Sequence, residues 1–245
     1  MALVSHRPKR RGASTGPLER QARFWDARYR ADPTFFGTGA SPFLRWTLAA
    51  LRDRPVGSRW LELGSGYGRD LGALHERGYS ASGVDVSRVG TSLARRSKLP
   101  VTESSALGFL SARPPESVDV VYSNLFFNME FSNEDHERLF AEVHRVLAPG
   151  GYHAYSVRSV ADHWYGRGRR TGPDTFDFAP RGPALHFFSR EYARRLRRER
   201  FRCVRTREET EGKGEFPITV LYYLDEKPVA RRPSRTRGPG GRVTP

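Results

Sequence analysis

The feature that most constrains this chain is a glycine-rich turn set between a buried strand and a helix. "SRWLEL" (58–63) is apolar enough for a strand covered on both faces, while "GRDLGALHERG" (68–78) spaces its apolar residues as a helix does. Between them, "WLELGSGYGRD" (60–70) puts glycines at 64, 66 and 68. Glycine lets the backbone approach a ligand closely, and the start of the following helix favours negative or dipolar groups. "YSASGVDVS" (79–87) then reads as a second strand, completing a βαβ unit and predicting a parallel sheet.

The alternation continues. A helix is predicted over 87–98, strands over 100–103 and 117–123, and a helix capped by Ser132 or Asn133, with Leu139, Phe140, Val143 and Leu147 on one face. Pro149, Gly150 and Gly151 are expected to stop that helix before a strand at 152–158. Residues 159–186, rich in Gly, Arg, Asp and Pro, interrupt the rhythm as an insertion on the substrate side. A helix over 187–200, capped by Ser189, and two strands, 201–209 and 217–226, close the sheet as an antiparallel hairpin through "TEGKGEF". Upstream, 17–30 and 41–53 read as helices joined by the aromatic turn "ADPTFFGTGA". The predicted fold is one α/β domain over 17–228, doubly wound around a mostly parallel, seven-stranded Rossmann-like sheet.

Charge bears on partners. Of a net +15, +9 lies in residues 1–20 and 229–245, which carry Arg7, Lys9, Arg10 and Arg11 at one end and Arg231, Arg232, Arg235, Arg237 and Arg242 at the other. These ends lack periodic apolar residues, so 1–16 and 229–245 are expected to be disordered basic tails. The body is only mildly basic, which argues against a broad nucleic-acid face. Cys203 is the one cysteine, so no internal disulfide framework or CxxC zinc cluster arises, and no metal is expected. No stretch approaches a membrane span or a signal-peptide core, so a soluble, cytoplasmic protein is expected.

Three ligand classes use such a loop. A triphosphate loop requires Gly-Lys-[Ser/Thr], and no Lys follows Gly68; the nicotinamide fingerprint requires glycine at 69, where Arg69 stands. Two acids narrow the choice further. Glu62 ends an apolar strand, where a carboxylate is costly to bury without a partner, and Asp85 ends the second strand, placed to take two ribose hydroxyls.

These residues resemble the class I S-adenosylmethionine-dependent methyltransferases. "ELGSGYG" fits that family's first motif, [DE]-x-G-x-G-x-G; Asp85 stands in "GVDVS"; "VDVVYSN" matches strand four; and "LAPGG" matches the step before strand five, together covering about residues 58–158. The resemblance implies S-adenosylmethionine as cofactor, with Gly64, Ser65, Gly66 and Gly68 backing its methionine and ribose, Glu62 orienting it or taking its amino group, and Asp85 holding the ribose. Where many members carry an Asp after strand three, this chain has "ESSAL", so the backbone of Ser105 or Ala106 is the implied adenine contact. Asp70, Val86 and Asn124 complete the expected set. "FWDARYRADPTFFGTGASPFL" is similar to the opening of the thiopurine and tellurite methyltransferase-like members, implying a helical lid over 17–53 with Trp25, Tyr29 and Phe36 flanking the site.

Methyl transfer from a sulfonium is an in-line displacement, so the protein chiefly supplies alignment and dry surroundings. A base is needed only where the acceptor sheds a proton. Arg158, Asp162, His163 and Tyr165 follow strand five, and His163 is the expected base because its reference pKa lies near neutrality. A small-molecule acceptor is the favoured reading. A methyltransferase acting on RNA or a protein, docking through its Arg-rich segments, is the alternative, and a noncatalytic cofactor-binding regulator a third. The amino-adenine motif [DN]-P-P-[YF] is absent, its place reading "SNLFFN".

Overall fold

The computed structural model describes residues 16–212 and 217–229. The expected basic tails, apart from Gly16 and Val229, lie outside these residues, as do 213–216 within the last hairpin. Strand β1 (Arg59–Leu63) buries Trp60, Leu61, Glu62 and Leu63 and pairs in parallel with β2 (Ser80–Asp85) on one side and β4 (Val118–Asn124) on the other. Strand β3 (Val101–Glu103) extends the first edge, and β5 (Leu147–Arg158) joins β4 in parallel. Strand β10 (Ile218–Glu226) runs antiparallel to β5, and β9 (Arg202–Glu211) antiparallel to β10. The sheet order is β3-β2-β1-β4-β5-β10-β9, a seven-stranded, mostly parallel sheet closed by an antiparallel hairpin, as the sequence predicts for strand number and direction. The strand order reverses between β1 and β4, and in open sheets of this kind ligands lie beyond the carboxyl ends of the strands at such a point.

Helices cover both faces. On one, α2 (Pro42–Leu51), α3 (Arg69–His75) and α4 (Arg88–Arg96) pack in a cluster that includes Phe43, Trp60, Leu71, Ala94 and Tyr222. On the other, α5 (Ala106–Ser111), α6 (Asn133–Val146) and α7 (Arg190–Arg197) enclose Leu110, Phe127, Phe140, Tyr155 and Leu196. Helix α6 starts at a capping box: Ser132 Oγ accepts from the Asp135 amide, and the Asp135 carboxylate accepts from the Ser132 amide. Its end differs from expectation. Leu147 is already extended, so the helix stops at Val146 and β5 takes over before the glycines. Gly150 (φ +78°) instead turns the strand so that its N–H reaches Lys227 O, and Gly151 has no space for a Cβ, which would lie 2.8 Å from Asp119 O.

Helix α1 (Pro17–Ala31) buries only Gln21 and Tyr29 and lies across the carboxyl ends of the strands, packing on α4. Helix α2, which the sequence groups with the lid, is a core helix: Phe43, Leu44 and Thr47 are fully buried, and Phe43 stacks on Tyr122. The insertion is more ordered than its composition suggests. Strands β6 (Arg169–Gly172), β7 (Thr175–Asp177) and β8 (Ala184–His186) form a small antiparallel sheet, tied to the loop after β4 where Asn128 and His186 exchange backbone and side-chain hydrogen bonds. Among the described residues no helix is long and apolar enough to cross a membrane.

Candidate cofactor and acceptor site

The glycine loop is shaped by three left-handed residues, Gly64 (φ +72°), Gly66 (φ +53°) and Gly68 (φ +84°). Each also lies where a side chain has no room. A Cβ on Gly66 would meet Tyr29 Oη at 2.4 Å, and one on Gly64 would meet the Phe126 ring at 2.9 Å. The loop is pinned to β2, because the Gly64 and Ser65 amides donate to Val84 O and the Gly66 amide donates to Asp85 Oδ2 at 2.8 Å. Asp85 Oδ1 accepts from the Ser87 amide at 2.7 Å. Burial raises the Asp85 pKa, while these two amides oppose the shift.

Two cavities of about 310 Å³ each flank this loop. The first is walled by Asp85, Val86, Ser104, Ser105, Ala106 and Leu107 on one side, by Phe126, Met129 and Phe131 on another, and by Leu18, Gln21 and Trp25 of α1 above. The second is polar, with Glu62, Ser65, Tyr67, Arg69 and Asp70 around it and Phe36 and Glu211 at its rim. Tyr29, Gly64, Asn124 and Leu125 line both, so the cavities meet there. Leu125 is left-handed at φ +57°, a conformation that costs a non-glycine residue roughly 1–2 kcal/mol. Its amide donates to Ser156 Oγ, and that hydroxyl donates to Asn124 Oδ1 at 2.6 Å, which fixes the Asn124 side chain at the junction.

Glu62 and Asp70 differ in what they have left to offer. Asp70 is fully used: Oδ1 accepts from the Ser41 amide and Oδ2 from Tyr122 Oη, both at 2.7 Å, which joins α2, α3 and β4. Glu62 Oε2 is buried and has no hydrogen-bond partner among the described residues. Burial first and the nearby Asp70 second push its pKa well above the usual carboxylate value, with Arg69 opposing. An unpartnered buried carboxylate lining a polar cavity is a receptor for a cationic group. The glycine cradle, this orphaned oxygen and the Asp85 carboxylate fit the ammonium and ribose of S-adenosylmethionine.

The aromatic N-terminal residues form the roof. Trp25 stacks on Tyr29 with ring centroids 5.8 Å apart and donates from Nε1 toward Met129 Sδ. The segment after α1 is held down by the glycine loop itself, since Tyr67 Oη donates to Gly37 O and Arg69 Nη1 donates to Phe36 O, each at 2.6 Å. Asp26, Tyr67, Arg69, Ser87 and Leu125 were not among the expected site residues. Only the position of Tyr67 and Arg69 within the glycine motif could have pointed to any of them.

The four residues expected after strand five do not line either cavity. Asp162 is buried and structural: it pairs with Arg158 at 2.7 Å and accepts from the Thr219 amide at 2.7 Å, fastening β5 to β10. Arg158 also stacks over the Phe187 ring, Tyr165 Oη donates to Asp174, and His163 packs edge-on against Trp164. The turn after β5 carries this group toward the insertion instead of toward the glycine loop. Among the described residues no cluster of three or more His, Cys, Asp or Glu side chains is arranged to hold a metal.

Residues 61–155 match the model of a family described as a methyltransferase domain. A solved S-adenosylmethionine-dependent methyltransferase of Methanosarcina mazei is similar, with a TM-score of 0.66 and 18% identity over 78% of this chain and 100% of that one. The 1,6-didemethyltoxoflavin-N1-methyltransferase of Burkholderia thailandensis, solved with 1,6-didemethyltoxoflavin and S-adenosylhomocysteine, gives 0.62 and 17% over 91% and 98%. A methyltransferase of Mesorhizobium loti gives 0.56 and 23% over 75% and 98%. At these identities the likeness is one of fold. No curated protein matches the sequence. The match over residues 61–155, the sheet order and the glycine motif agree on an S-adenosylmethionine-dependent methyltransferase with a Rossmann-like fold.

Proposed function

We propose that the protein transfers the methyl group of S-adenosylmethionine to a small-molecule acceptor that meets it where the second cavity joins the first, at Tyr29, Gly64, Asn124 and Leu125. The observation that carries this reading is the roof: Pro17, Leu18, Gln21, Trp25 and Tyr29 of α1 wall the first cavity from above, opposite Phe126, Met129 and Phe131. A concave, mostly apolar chamber with few polar groups is the usual form of a small-ligand site.

When bound, the cofactor supplies a methyl group already activated on a sulfonium. In this reading Glu62 holds the amino group, Asp85 the ribose hydroxyls, and the backbone at Ser105 and Ala106 the adenine. Gly64, Ser65, Gly66 and Gly68 let the loop approach closely, Val86 contacts the adenosine, and Trp25 and Tyr29 close the roof. The junction at Asn124 and Leu125 then sets the line of displacement, because both cavities open onto it. The apolar walls keep water from the acceptor. Asp70 serves by bracing α3 and not by direct contact.

The docking reading draws less support. Of the arginines on and after α7, Arg190, Arg195, Arg197 and Arg200 are paired with Glu208, Glu137, Asp225 and Glu137, so most of that helix's charge is met within the fold. The test is transfer from methyl-labelled cofactor to fractionated extract of the source cells. Label in the small-molecule fraction supports the proposal; label confined to RNA or protein contradicts it.

A further inference from the structure

The rim of the second cavity carries a carboxylate that the cofactor contacts leave unused. Glu211 ends β9 and pairs in register with Ile218, which opens β10, and both line the same cavity as the junction residues Tyr29, Gly64, Asn124 and Leu125. Val220 of β10 stands opposite Arg158, the last residue of β5, so Ile218 and Glu211 lie beyond the carboxyl end of that strand. That is the side on which ligands meet such a sheet. Glu211 Oε1 accepts from Tyr222 Oη, and the Tyr222 ring packs on Phe43 and Trp46 of α2, so the carboxylate is anchored to the core. Its other oxygen, Oε2, has no hydrogen-bond or ion-pair partner among the described residues.

The charged residues around this cavity are three acids, Glu62, Asp70 and Glu211, and one base, Arg69. Arg69 is engaged, since Nη1 donates to Phe36 O at 2.6 Å and Nε lies 3.5 Å from Asp70 Oδ1. Asp70 is used by Ser41 and Tyr122. Glu62 lies against the glycine loop, where the cofactor's amino group takes it in the reading above. Glu211 is the acid left over at the open end. With its carboxylates ionised the cavity has an excess of two negative charges. S-adenosylmethionine, with a sulfonium, an ammonium and a carboxylate, brings one net positive charge, and one more would neutralise the space. Burial raises the Glu211 pKa, with the Tyr222 hydroxyl and Arg69 opposing, so its ionised form gains from a cationic partner. Phe36, Tyr67 and Ile218 supply apolar surface around it for the rest of a small molecule.

We infer that the acceptor is an amine-bearing molecule, whose protonated nitrogen Glu211 holds at the rim of the second cavity while its reacting atom lies at the junction. The inference rests on the small-molecule reading above and names the class of molecule that site takes. Glu211 is a binding residue in this assignment, and the nitrogen it holds keeps its proton through the transfer.

The experiment is calorimetric titration of benzylamine, benzyl alcohol and benzoate into the full chain saturated with S-adenosylhomocysteine, for the wild type, E211Q and E211D. Saturation occupies Glu62 with the amino group of that ligand, so the cationic probe reports on Glu211. The expected result is that the wild type binds benzylamine about tenfold or more tighter than the neutral and anionic probes, as one charge-assisted hydrogen bond implies. E211Q should lose that preference and E211D keep part of it, with S-adenosylhomocysteine affinity unchanged in both. No binding of benzylamine, equal binding of benzyl alcohol, or equal benzylamine affinity in E211Q overturns the assignment. So does an E211Q protein whose S-adenosylhomocysteine affinity falls as far, which would give Glu211 to the cofactor. Methyl label entering small molecules that bear no basic nitrogen removes the amine assignment alone; label entering only RNA or protein removes the reading beneath it.

Discussion

Asp26 of α1 and Ser87 at the start of α4 are joined by a 2.6 Å hydrogen bond, the Ser87 hydroxyl donating to Asp26 Oδ1. The same oxygen accepts from the Val89 amide at 3.0 Å, and Ser87 Oγ accepts from the Gly90 amide. The roof helix thereby supplies part of the cap of the helix that follows Asp85, and a carboxylate there also meets the positive end of α4. Asp26→Ala should cost about 1 kcal/mol of stability, lowering the melting temperature by roughly 2–4 °C for a domain of this size. It should also weaken S-adenosylhomocysteine binding severalfold, because the ribose loop loses its brace. Unchanged affinity by calorimetry would show that the roof and the loop act independently.

Asp85 accepts from two backbone amides, so Asp85→Ala would leave both without their partner. Asp85→Asn is the cleaner variant, since it keeps an acceptor for one amide. Losing charge-assisted hydrogen bonds worth about 1.5–3 kcal/mol each should weaken cofactor binding more than tenfold. The check is calorimetry on a variant whose circular dichroism matches the wild type. A change of less than threefold would remove Asp85 from the ribose.

Glu62 gives the site a pH dependence. Its folded pKa is raised by burial, so the cofactor-free protein holds this proton above the ordinary carboxylate value of 4.5. An ammonium beside it favours the ionised form, so binding expels the proton. Cofactor affinity should therefore rise with pH from that value upward until Glu62 is ionised in the free protein, and E62Q should bind weakly with a flatter profile. Parallel profiles for the two proteins would contradict the assignment of Glu62 to the amino group.

The parts legible in the sequence were those where chemistry and backbone coincide. Three positive-φ turns need three glycines, and a carboxylate at a strand end needs a reason to be buried, so Glu62, Gly64, Gly66, Gly68 and Asp85 were all readable. Helix α5 was missed because six residues show too little periodicity, although Ser105 caps it. The insertion strands were missed for a similar reason: each has three or four residues, and β6 is polar throughout. Leu125 left no trace in the pattern, since its left-handed backbone is imposed by Ser156 from the neighbouring strand. Asp162 looked catalytic because a buried ion pair and a reactive carboxylate are spelled with the same letter.

His136 and His186 should make the fold acid-sensitive. Their rings lie 4.9 Å apart at the junction of the insertion with α6, and His136 Nε2 donates to Phe127 O while Nδ1 lies 2.8 Å from Tyr192 Oη. Burial lowers their pKa values to about 3 and about 4, with Asp135 and Asp174 opposing the shift from nearby. Between pH 6.5 and those values the unfolded chain takes up protons that the folded chain does not, so stability falls as pH drops through that window and levels off below it. Urea midpoints at pH 7, 6 and 5 should decline for the wild type and decline less for His186→Gln. Equal slopes would mean that this pair is not the acid-labile element.

The most direct measurement is a crystal structure of the full chain with S-adenosylhomocysteine. The predicted result has the ribose hydroxyls on Asp85, the amino group on Glu62, the adenine against Ser105 and Ala106, and α1 closed over the chamber lined by Trp25 and Phe126. A cofactor lying outside the two cavities, or α1 displaced to leave an open groove beside the sulfur, would contradict the account.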